Sequence, residues 1–384
     1  MIKKNINDIT IENIEALKIN GVSEGKTIEY KSQLPGNPNT DKIRFLATVS
    51  SFANTNGGDI IYGIKESAGK PSSINGVIIP NLDQEKLRLE QIIRNGIEPS
   101  IPSVQLHEIN LKNNSYILII RILKSWNAPH RVTLNKHSKF YGRNSAGRYE
   151  LDVSELKTSF LLTENIANRI RNFIAERITA IYADDTPIPL SKGAKVLMHL
   201  IPLSSFTQRE LIGINDCRRH QNNLLPLGSS GWSPWINIDG FLTYNGNMDD
   251  TSSAYAQLYR TGVIETVRSI ELWHNEPYIP STSIEEYILH AFQSYLRIYK
   301  DIGIETPVFV FLSFLGVNKY ILGVNLHDHR KHTVDRDLIQ LPELIIETYD
   351  IDALKIFKPL FDMIWNAWGY DRCYNYDDKG NWVG

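Results

Sequence analysis

The 384-residue sequence predicts an α+β protein in which helices alternate irregularly with short strands. Residues 27–123 have the pattern of strand, helix, strand, helix and then two consecutive strands, an order that favours a mixed sheet. Residues 284–300 have the apolar spacing of an amphipathic helix, and strand-like segments lie on both sides of it. Both halves of the chain therefore contribute helices and strands.

The elements of the first half follow from apolar spacing and turn residues. Helical periodicity predicts a short helix at 8–19, and the alternation in 27–31 predicts a strand with Glu29 and Lys31 on one face. Two further helices are expected at 41–52, capped by Asp41, and at 82–97. The glycine-rich turn at 54–58 is interpreted as a helix stop. The remaining strands are predicted at 59–64, 104–109 and 116–123.

Length favours two domains. We predict an N-terminal domain at 1–161, a helical bridge with its linker at 162–185, and a C-terminal α+β domain of unknown type at 186–384. The bridge is expected to be helical over 162–182. Within the last domain, strands are predicted at 196–201, 262–273, 307–314 and 319–325, and a last helix at 352–368.

Charge is unevenly distributed, although the whole chain carries only −2. Residues 1–161 hold 21 Lys and Arg against 16 Asp and Glu, and the remainder holds 20 against 27. No acid occurs from 109 to 149, a stretch rich in cations, which suits a surface that binds a polyanion. The candidate nucleic-acid contacts are Arg121, Lys124, Arg131, Lys136, Lys139, Arg143 and Arg148. The alternative is a solvated sheet edge whose lysines block aggregation.

The sequence gives little support for a disulfide framework, a zinc site, a membrane span or a signal peptide. The two cysteines, Cys217 and Cys373, are too few for a disulfide framework or a four-ligand zinc site. No apolar run reaches the length of a membrane span, and the first residues lack the apolar core of a signal peptide. A cytoplasmic protein without membrane association is therefore expected.

Several segments of the first half together resemble a known domain. They are Glu24, Glu29 and Lys31 in the spacing E-x-x-x-x-E-x-K, then SFANTNGG at 51–58, YGI at 62–64, APHR at 128–131 and FYGRNS at 140–145. This set resembles the AlbA-like domain shared by Schlafen proteins and many bacterial proteins of uncertain role. The resemblance covers about residues 20–160.

The resemblance implies a catalytic site. In Schlafen-type ribonucleases three acids hold a divalent cation, here Mg²⁺ or Mn²⁺, which supports cleavage of a phosphodiester. Glu24 and Glu29 match the first two acids, and Lys31 matches the lysine two residues further on. Glu66 is the candidate for the third acid, where active members of the family have aspartate, and Asp59 is the fallback. The alternative interpretation is a solvated strand edge with an ordinary Glu–Lys pair.

The resemblance therefore leads us to expect a metal-dependent endoribonuclease that acts on structured RNA such as tRNA, in stress or antiviral (antiphage) defence. Because such domains pair two lobes into a basic cleft and this chain has one, a homodimer is expected, with the acidic second half in a sensing or docking role. A non-catalytic DNA-binding regulator with structural acids is the main alternative. A third interpretation makes the second half the effector and the first half a sensor.

Overall fold

The computed structural model describes residues 1–101, 104–112, 114–207, 211–246, 251–272, 276–324 and 332–384. The chain divides into two compact units, Met1–Asn165 and Ile166–Gly384. Each unit combines helices with mixed or antiparallel sheets, so the predicted α+β class is confirmed. None of the helices in the described part of the chain combines the length and the apolar character that a membrane span requires.

The first unit contains three complete helices, eleven strands and the start of a fourth helix within its described residues. The helices are α1 (Ile11–Ile19), α2 (Asn39–Ala53), α3 (Leu82–Gly96) and α4 (Val153–Tyr182), which crosses the division between the units. The strands are β1 (Ile28–Lys31), β2 (Gly58–Tyr62), β3 (Ile64–Ser67), β4 (Lys70–Ile74), β5 (Val77–Ile78), β6 (Ile97–Glu98), β7 (Val104–Lys112), β8 (Ser115–Ile122), β9 (Arg131–Val132), β10 (Lys139–Asn144) and β11 (Gly147–Glu150).

The main sheet of this unit has β2 next to its parallel edge strand β1. On its other side β2 pairs antiparallel with β8, which also pairs with β5 and β7. Because side chains alternate across a strand, Ile60 and Tyr62 pack towards α2 and α3, while Ile61 packs on the opposite face with Tyr30 and Ile14. A second sheet, in the order β11-β10-β9-β6, lies against α2.

A glycine pair connects α2 to β2. Gly57 has φ +68°, and its N–H donates a hydrogen bond of 2.8 Å to the carbonyl of Phe52, which terminates the helix as the sequence predicts. At Gly58 an added Cβ would lie 2.3 Å from the Phe52 ring and 2.7 Å from the carbonyl of Thr27. Only glycine therefore allows β2 to approach the helix and the start of β1 this closely.

The second unit is built around one large sheet. Its helices are the remainder of α4, then α5 (Ser204–Thr207), α6 (Ile214–Arg219), α7 (Ser281–Ile302) and α8 (Ala353–Ala367). Its strands are β12 (Ala194–Pro202), β13 (Ser233–Ile236), β14 (Gly240–Tyr244), β15 (Ala254–Tyr259), β16 (Ile264–Ile270), β17 (Tyr278–Pro280), β18 (Val308–Leu315), β19 (Ile321–Gly323), β20 (Leu338–Gln340) and β21 (Leu344–Ile346). The large sheet has the order β13-β14-β15-β16-β12-β18-β20, with β21 also paired to β18.

One face of this sheet carries the main apolar core. Alternate residues of β12, among them Val196 and Met198, pack with the inner faces of α7 and α8, represented by Phe292 and Phe357. The rings of Phe292 and Phe357 meet edge to face with their centroids 4.8 Å apart. The two helices are therefore held to the sheet and to each other by the same cluster.

A buried carboxylate organises the other face of the sheet. Glu265 on β16 has no exposed surface, and its oxygens accept hydrogen bonds from Arg177 of α4, His199 of β12, and Tyr255 and Tyr259 of β15. Burial raises the pKa of Glu265, but the bonds from His199 and Arg177 outweigh it and hold that pKa below its usual value. A single anion thus joins a helix to three adjacent strands.

Two helix starts differ from the sequence expectation. Helix α4 begins at Val153, nine residues before the predicted 162, because Asp152 and Glu155 cap each other's backbone N–H groups at 3.0 and 2.8 Å. Helix α2 begins at Asn39 after Pro38, so Asp41 lies in its first turn and not at the cap. The earlier start of α4 arises from local capping chemistry that apolar periodicity does not report.

Glu285 of α7 is a second buried acid of this unit, with 2% of its surface exposed. It accepts hydrogen bonds from Trp365 Nε1 at 2.7 Å and Asn375 Nδ2 at 2.9 Å, and the Cys373 thiol lies 3.4 Å away. Among the described residues, the groups that act on its carboxylate include no cation. Burial raises the pKa of Glu285 to about 7 from 4.5, because ionising it in this apolar setting is costly.

Glu285 makes the stability of the protein depend on pH. Since the folded state binds this proton more tightly than the unfolded state, the stabilisation is complete below pH 4.5 and is lost as the pH rises through about 7. The loss amounts to about 3 kcal/mol of unfolding free energy. Urea denaturation between pH 4.5 and 8 measures it. We expect Glu285→Gln to remove this part of the pH dependence, and an identical slope in the variant would contradict the prediction.

Candidate functional site

Glu29 lies at the centre of the acidic group predicted from the sequence. Strand β1 places it on the α2 side of the main sheet, where it is 8% exposed. Its Oε1 contacts Lys31 Nζ at 2.6 Å, and its Oε2 accepts a hydrogen bond from Arg143 Nη1. Burial raises the pKa of Glu29, but the charges of Arg143 and Lys31 outweigh this and hold it below its usual value. The acid is therefore ionised and paired on both oxygens.

Arg143 of β10 provides the deepest of these contacts. It is 6% exposed, and its Nε donates a hydrogen bond of 2.6 Å to the carbonyl of Gly25. Its guanidinium carbon lies 4.4 Å from the centre of the Phe52 ring. Arg143 thus joins β10 to β1, to the segment that precedes β1 and to the end of α2.

Glu24 and Glu66 approach each other through the β3–β4 hairpin. The backbone N–H of Glu24 donates to the carbonyl of Gly69 at 2.7 Å, and Glu66 Oε2 accepts from the N–H of Gly69 at 2.8 Å. Glu24 Oε1 also accepts from the N–H of Tyr30 at 2.7 Å. Burial raises the pKa of Glu24, and the negative charges of Glu29 and Glu66 raise it further. The three acids are therefore near enough to interact electrostatically.

This arrangement does not form a cation cage. Among the described residues, no group of three or more His, Cys, Asp or Glu side chains is placed to hold a metal ion. Glu29 uses both oxygens on cationic side chains, and Glu24 and Glu66 each use an oxygen on backbone N–H groups. The carboxylates as placed do not fit Mg²⁺ or Mn²⁺, which need several free oxygens around one point.

Asp59, the fallback for the third acid, and Arg121, a predicted phosphate contact, form an ion pair with each other. Asp59 has no exposed surface, and it accepts hydrogen bonds from Arg121 Nε at 2.7 Å and Nη2 at 3.0 Å. The remaining donors of Arg121 reach the carbonyls of Ile2 and Lys4. Asp59 therefore cannot serve as the third acid, and Arg121, which is 5% exposed, has no free face for a phosphate.

The other predicted cations fall into three environments. Arg143 is buried on Glu29, so its predicted role as a phosphate contact does not fit its position. Arg148 Nη1 donates to the carbonyl of Arg44 and the hydroxyl of Thr48 on α2. The remaining four, like Arg148, are at least partly exposed: Arg131 and Lys139 pair with Glu98 and Glu150, while Lys124 and Lys136 form no ion pair within the described ranges.

Hydrogen bonds at the end of α2 anchor the backbone segments that carry the exposed cations, and Asn54 makes three of them. Its Nδ2 donates to the carbonyls of His130 at 3.0 Å and Tyr141 at 2.9 Å, and its Oδ1 accepts from the N–H of His130 at 2.7 Å. The N–H of Ser125, next to Lys124, donates to the carbonyl of Ala53 at 2.8 Å. Lys124 and the segment 131–141 are thereby anchored at the same end of the helix.

Sequence reasoning missed two roles in this region. Arg143 and Arg121 were grouped with surface cations, although their partners lie 114 and 62 residues away and leave no local signal. Asn54 was interpreted as part of the turn that ends the helix, whereas its amide donates to two distant carbonyls. Its position in the turn that follows the predicted helix, shortly before two glycines, was the available signal of a special role.

Comparison with known proteins identifies the domain. A family model described as Schlafen, AlbA_2 matches residues 24–152, which lie within the first unit. This match supports a Schlafen/AlbA-like domain there, as the sequence resemblance implied. It covers less than half of the 384 residues, so it assigns this segment and leaves the second unit unassigned. No curated protein matches the chain.

Two solved structures are similar to part of this chain. The DIP2311 protein from Corynebacterium diphtheriae is 19% identical, with 38% of this chain and 27% of that chain covered and a TM-score of 0.27. The N-terminal domain of a RecG-related protein from Nitrosomonas europaea is 17% identical, with 32% and 74% covered and a TM-score of 0.23. This chain thus spans about a quarter of the DIP2311 protein, and such low TM-scores carry no argument about its fold or function.

The burial of Arg143 predicts a structural effect of its removal. Arg143→Met leaves Glu29 buried beside Lys31 alone, so we expect a loss of about 3–5 kcal/mol of unfolding free energy, measured by urea denaturation. The matched control is Lys139→Met on the same strand, where the ion pair is exposed and the denaturation midpoint should hardly change. Equal midpoints for the two variants would show that Arg143 is a surface residue in solution.

Proposed function

We propose that the first unit binds nucleic acid, with structured RNA such as tRNA as the preferred ligand and DNA as the alternative. The observation that carries this proposal is the set of exposed cations anchored at the end of α2, in a segment without an acid from 109 to 149. The family match to a Schlafen/AlbA-like domain supports a nucleic-acid partner as well.

The chemistry of this surface suits the sugar–phosphate backbone more than the bases. We call Lys124, Lys136 and Lys139 the lysine surface, because all three are exposed and belong to the anchored segment. Lysine presents a hydrated point charge on a flexible stem, which neutralises phosphates without demanding one geometry. Binding through these groups releases counterions and is therefore strongly weakened by salt.

Cleavage of the bound RNA is the second candidate function. One observation favours it: Glu24, Glu29 and Glu66 lie close enough for the latter two to raise the pKa of Glu24. A metal-dependent endoribonuclease would use these acids with Lys31, and Glu29 would first have to separate from Arg143. A homodimer that completes a basic cleft, and a role in antiviral defence, belong to this second candidate.

The lysine surface predicts a salt-dependent loss of affinity. A triple variant with Lys124, Lys136 and Lys139 changed to Gln should bind tRNA more weakly at every salt concentration. The slope of log Kd against log salt should fall by about 0.7–0.9 for each phosphate contact removed. Fluorescence anisotropy with labelled tRNA and with a DNA duplex of similar length measures both ligands.

A second triple variant, which removes the same charge from the second unit, is the control for the tRNA-binding test. Arg219, Lys319 and Lys355 are exposed residues of the second unit, and changing them to Gln removes the same charge elsewhere in the chain. We expect the tRNA affinity of this control to stay at the wild-type value. Equal losses in the two triple variants would mean that net charge alone governs binding, and the lysine surface would be excluded as the interface.

A cleavage assay separates the two candidate functions. Because Glu29 is paired on both oxygens, we expect wild-type protein with Mn²⁺ to bind tRNA and leave it intact on a denaturing gel. Cleavage by the wild type that disappears in Glu24→Gln and Lys31→Gln, with binding retained, would instead establish the endoribonuclease. Size-exclusion chromatography with light scattering on the same samples reports whether the protein is a dimer.

A further inference from the structure

A cavity of about 720 Å³ lies within the second unit, and neither candidate function uses it. It opens between the end of β16, strand β17 and the first turn of α7. Its lining combines polar groups with aromatic and aliphatic ones, chiefly Arg268, Glu271, Tyr278, Ser283, Ile284 and Tyr287. This volume falls in the range of about 300–1,000 Å³ that is typical of small-molecule sites.

Arg268 is the dominant charge in the cavity. Its Nη1 donates a hydrogen bond of 2.8 Å to the carbonyl of Leu227, and its guanidinium carbon lies 5.1 Å from the centre of the Tyr287 ring. Within the described ranges, no carboxylate forms an ion pair with it. Partial burial lowers the pKa of Arg268, although nearby Tyr287 and Glu271 oppose this. A partly dehydrated guanidinium that no carboxylate contacts directly favours an anion.

The first turn of α7 carries three hydroxyl groups. Those of Ser281 and Thr282 donate to the carbonyl of Gly323 and to Asn375 Oδ1, and neither residue lines the cavity. Ser283 lines the cavity one residue later, and Pro280, which precedes α7, provides no side-chain cap. Ser283 therefore adds a neutral donor to the cavity that Arg268 and the apolar side chain of Ile284 also line.

We propose that this cavity binds a phosphate-bearing small molecule of the size of a sugar phosphate or a nucleoside monophosphate. The guanidinium of Arg268 and the hydroxyl of Ser283 bind the phosphate, and the apolar side of the cavity, which includes Ile284, contacts the organic part. A phosphate has enough acceptor oxygens to satisfy both donors at once. Exposed Glu271 stands at the same cavity and weakens the binding of any anion, so it limits the affinity.

Isothermal titration of the full-length protein tests this inference with defined probes. Ribose 5-phosphate and adenosine 5′-monophosphate are compared with ribose and adenosine, which lack only the phosphate. We expect at least one phosphorylated probe to bind, and its unphosphorylated partner to bind at least ~10-fold more weakly because the charge-assisted bonds are missing. Arg268→Gln should abolish the difference, and Glu271→Gln should strengthen binding of the phosphorylated probe.

Two further variants make the outcome decisive. Ser283→Asp places a negative charge in the cavity at a helix position that tolerates acids, so the protein should fold and lose the phosphorylated probe even if Arg268→Gln is unstable. Arg219→Gln, at an exposed residue of a different cavity, should bind as the wild type does. Absence of binding by both phosphorylated probes, equal binding of the unphosphorylated ones, or unchanged binding in Ser283→Asp would overturn the proposal.

Discussion

The first unit depends on the buried contact between Arg143 and Glu29, which joins residues 114 positions apart. Removing both charges from water costs several kcal/mol, and the cost is recovered only because each group is satisfied more than once. Glu29 also contacts Lys31, while Arg143 also bonds to Gly25 and covers the ring of Phe52. Arg143 also holds the backbone next to Glu24, through its bond to the carbonyl of Gly25. Any chemistry of Glu24, Glu29 and Glu66 therefore depends on the Arg143–Glu29 contact.

Two of the seven predicted nucleic-acid contacts are buried, and both are arginines. Arg121 and Arg143 are buried, since a guanidinium has five donors that carboxylates and carbonyls can satisfy together. Lys124, Lys136 and Lys139 stay exposed, as expected for a strongly hydrated ammonium group. An interface made mainly of lysines recognises charge density along a backbone and reads little base sequence. Preference among ligands would then come from the shape of the RNA or DNA.

Much of the fold could be predicted because its signals are local. The alternation in β1 placed Glu29 and Lys31 on one face, and the glycines at 57 and 58 predicted the stop after α2. The resemblance over about residues 20–160 predicted the type of domain, and the family match at 24–152 supports it. The candidate site was harder, since burial of Arg121 and Arg143 is decided by partners far along the chain. Likewise, nothing around 265 in the sequence shows that one glutamate meets four donor side chains from three other elements.

The Glu265 network has a consequence for how the second unit can change over evolutionary time. Its carboxylate satisfies Arg177, His199, Tyr255 and Tyr259 together, so a neutral residue at 265 would strand several donors in a dry interior. Replacement of Glu265 during evolution therefore requires compensating substitutions at several of these positions. Proteins that carry only some of these substitutions would fold poorly. Related sequences should accordingly either keep all five side chains or exchange the set for an apolar one, with mixed combinations rare.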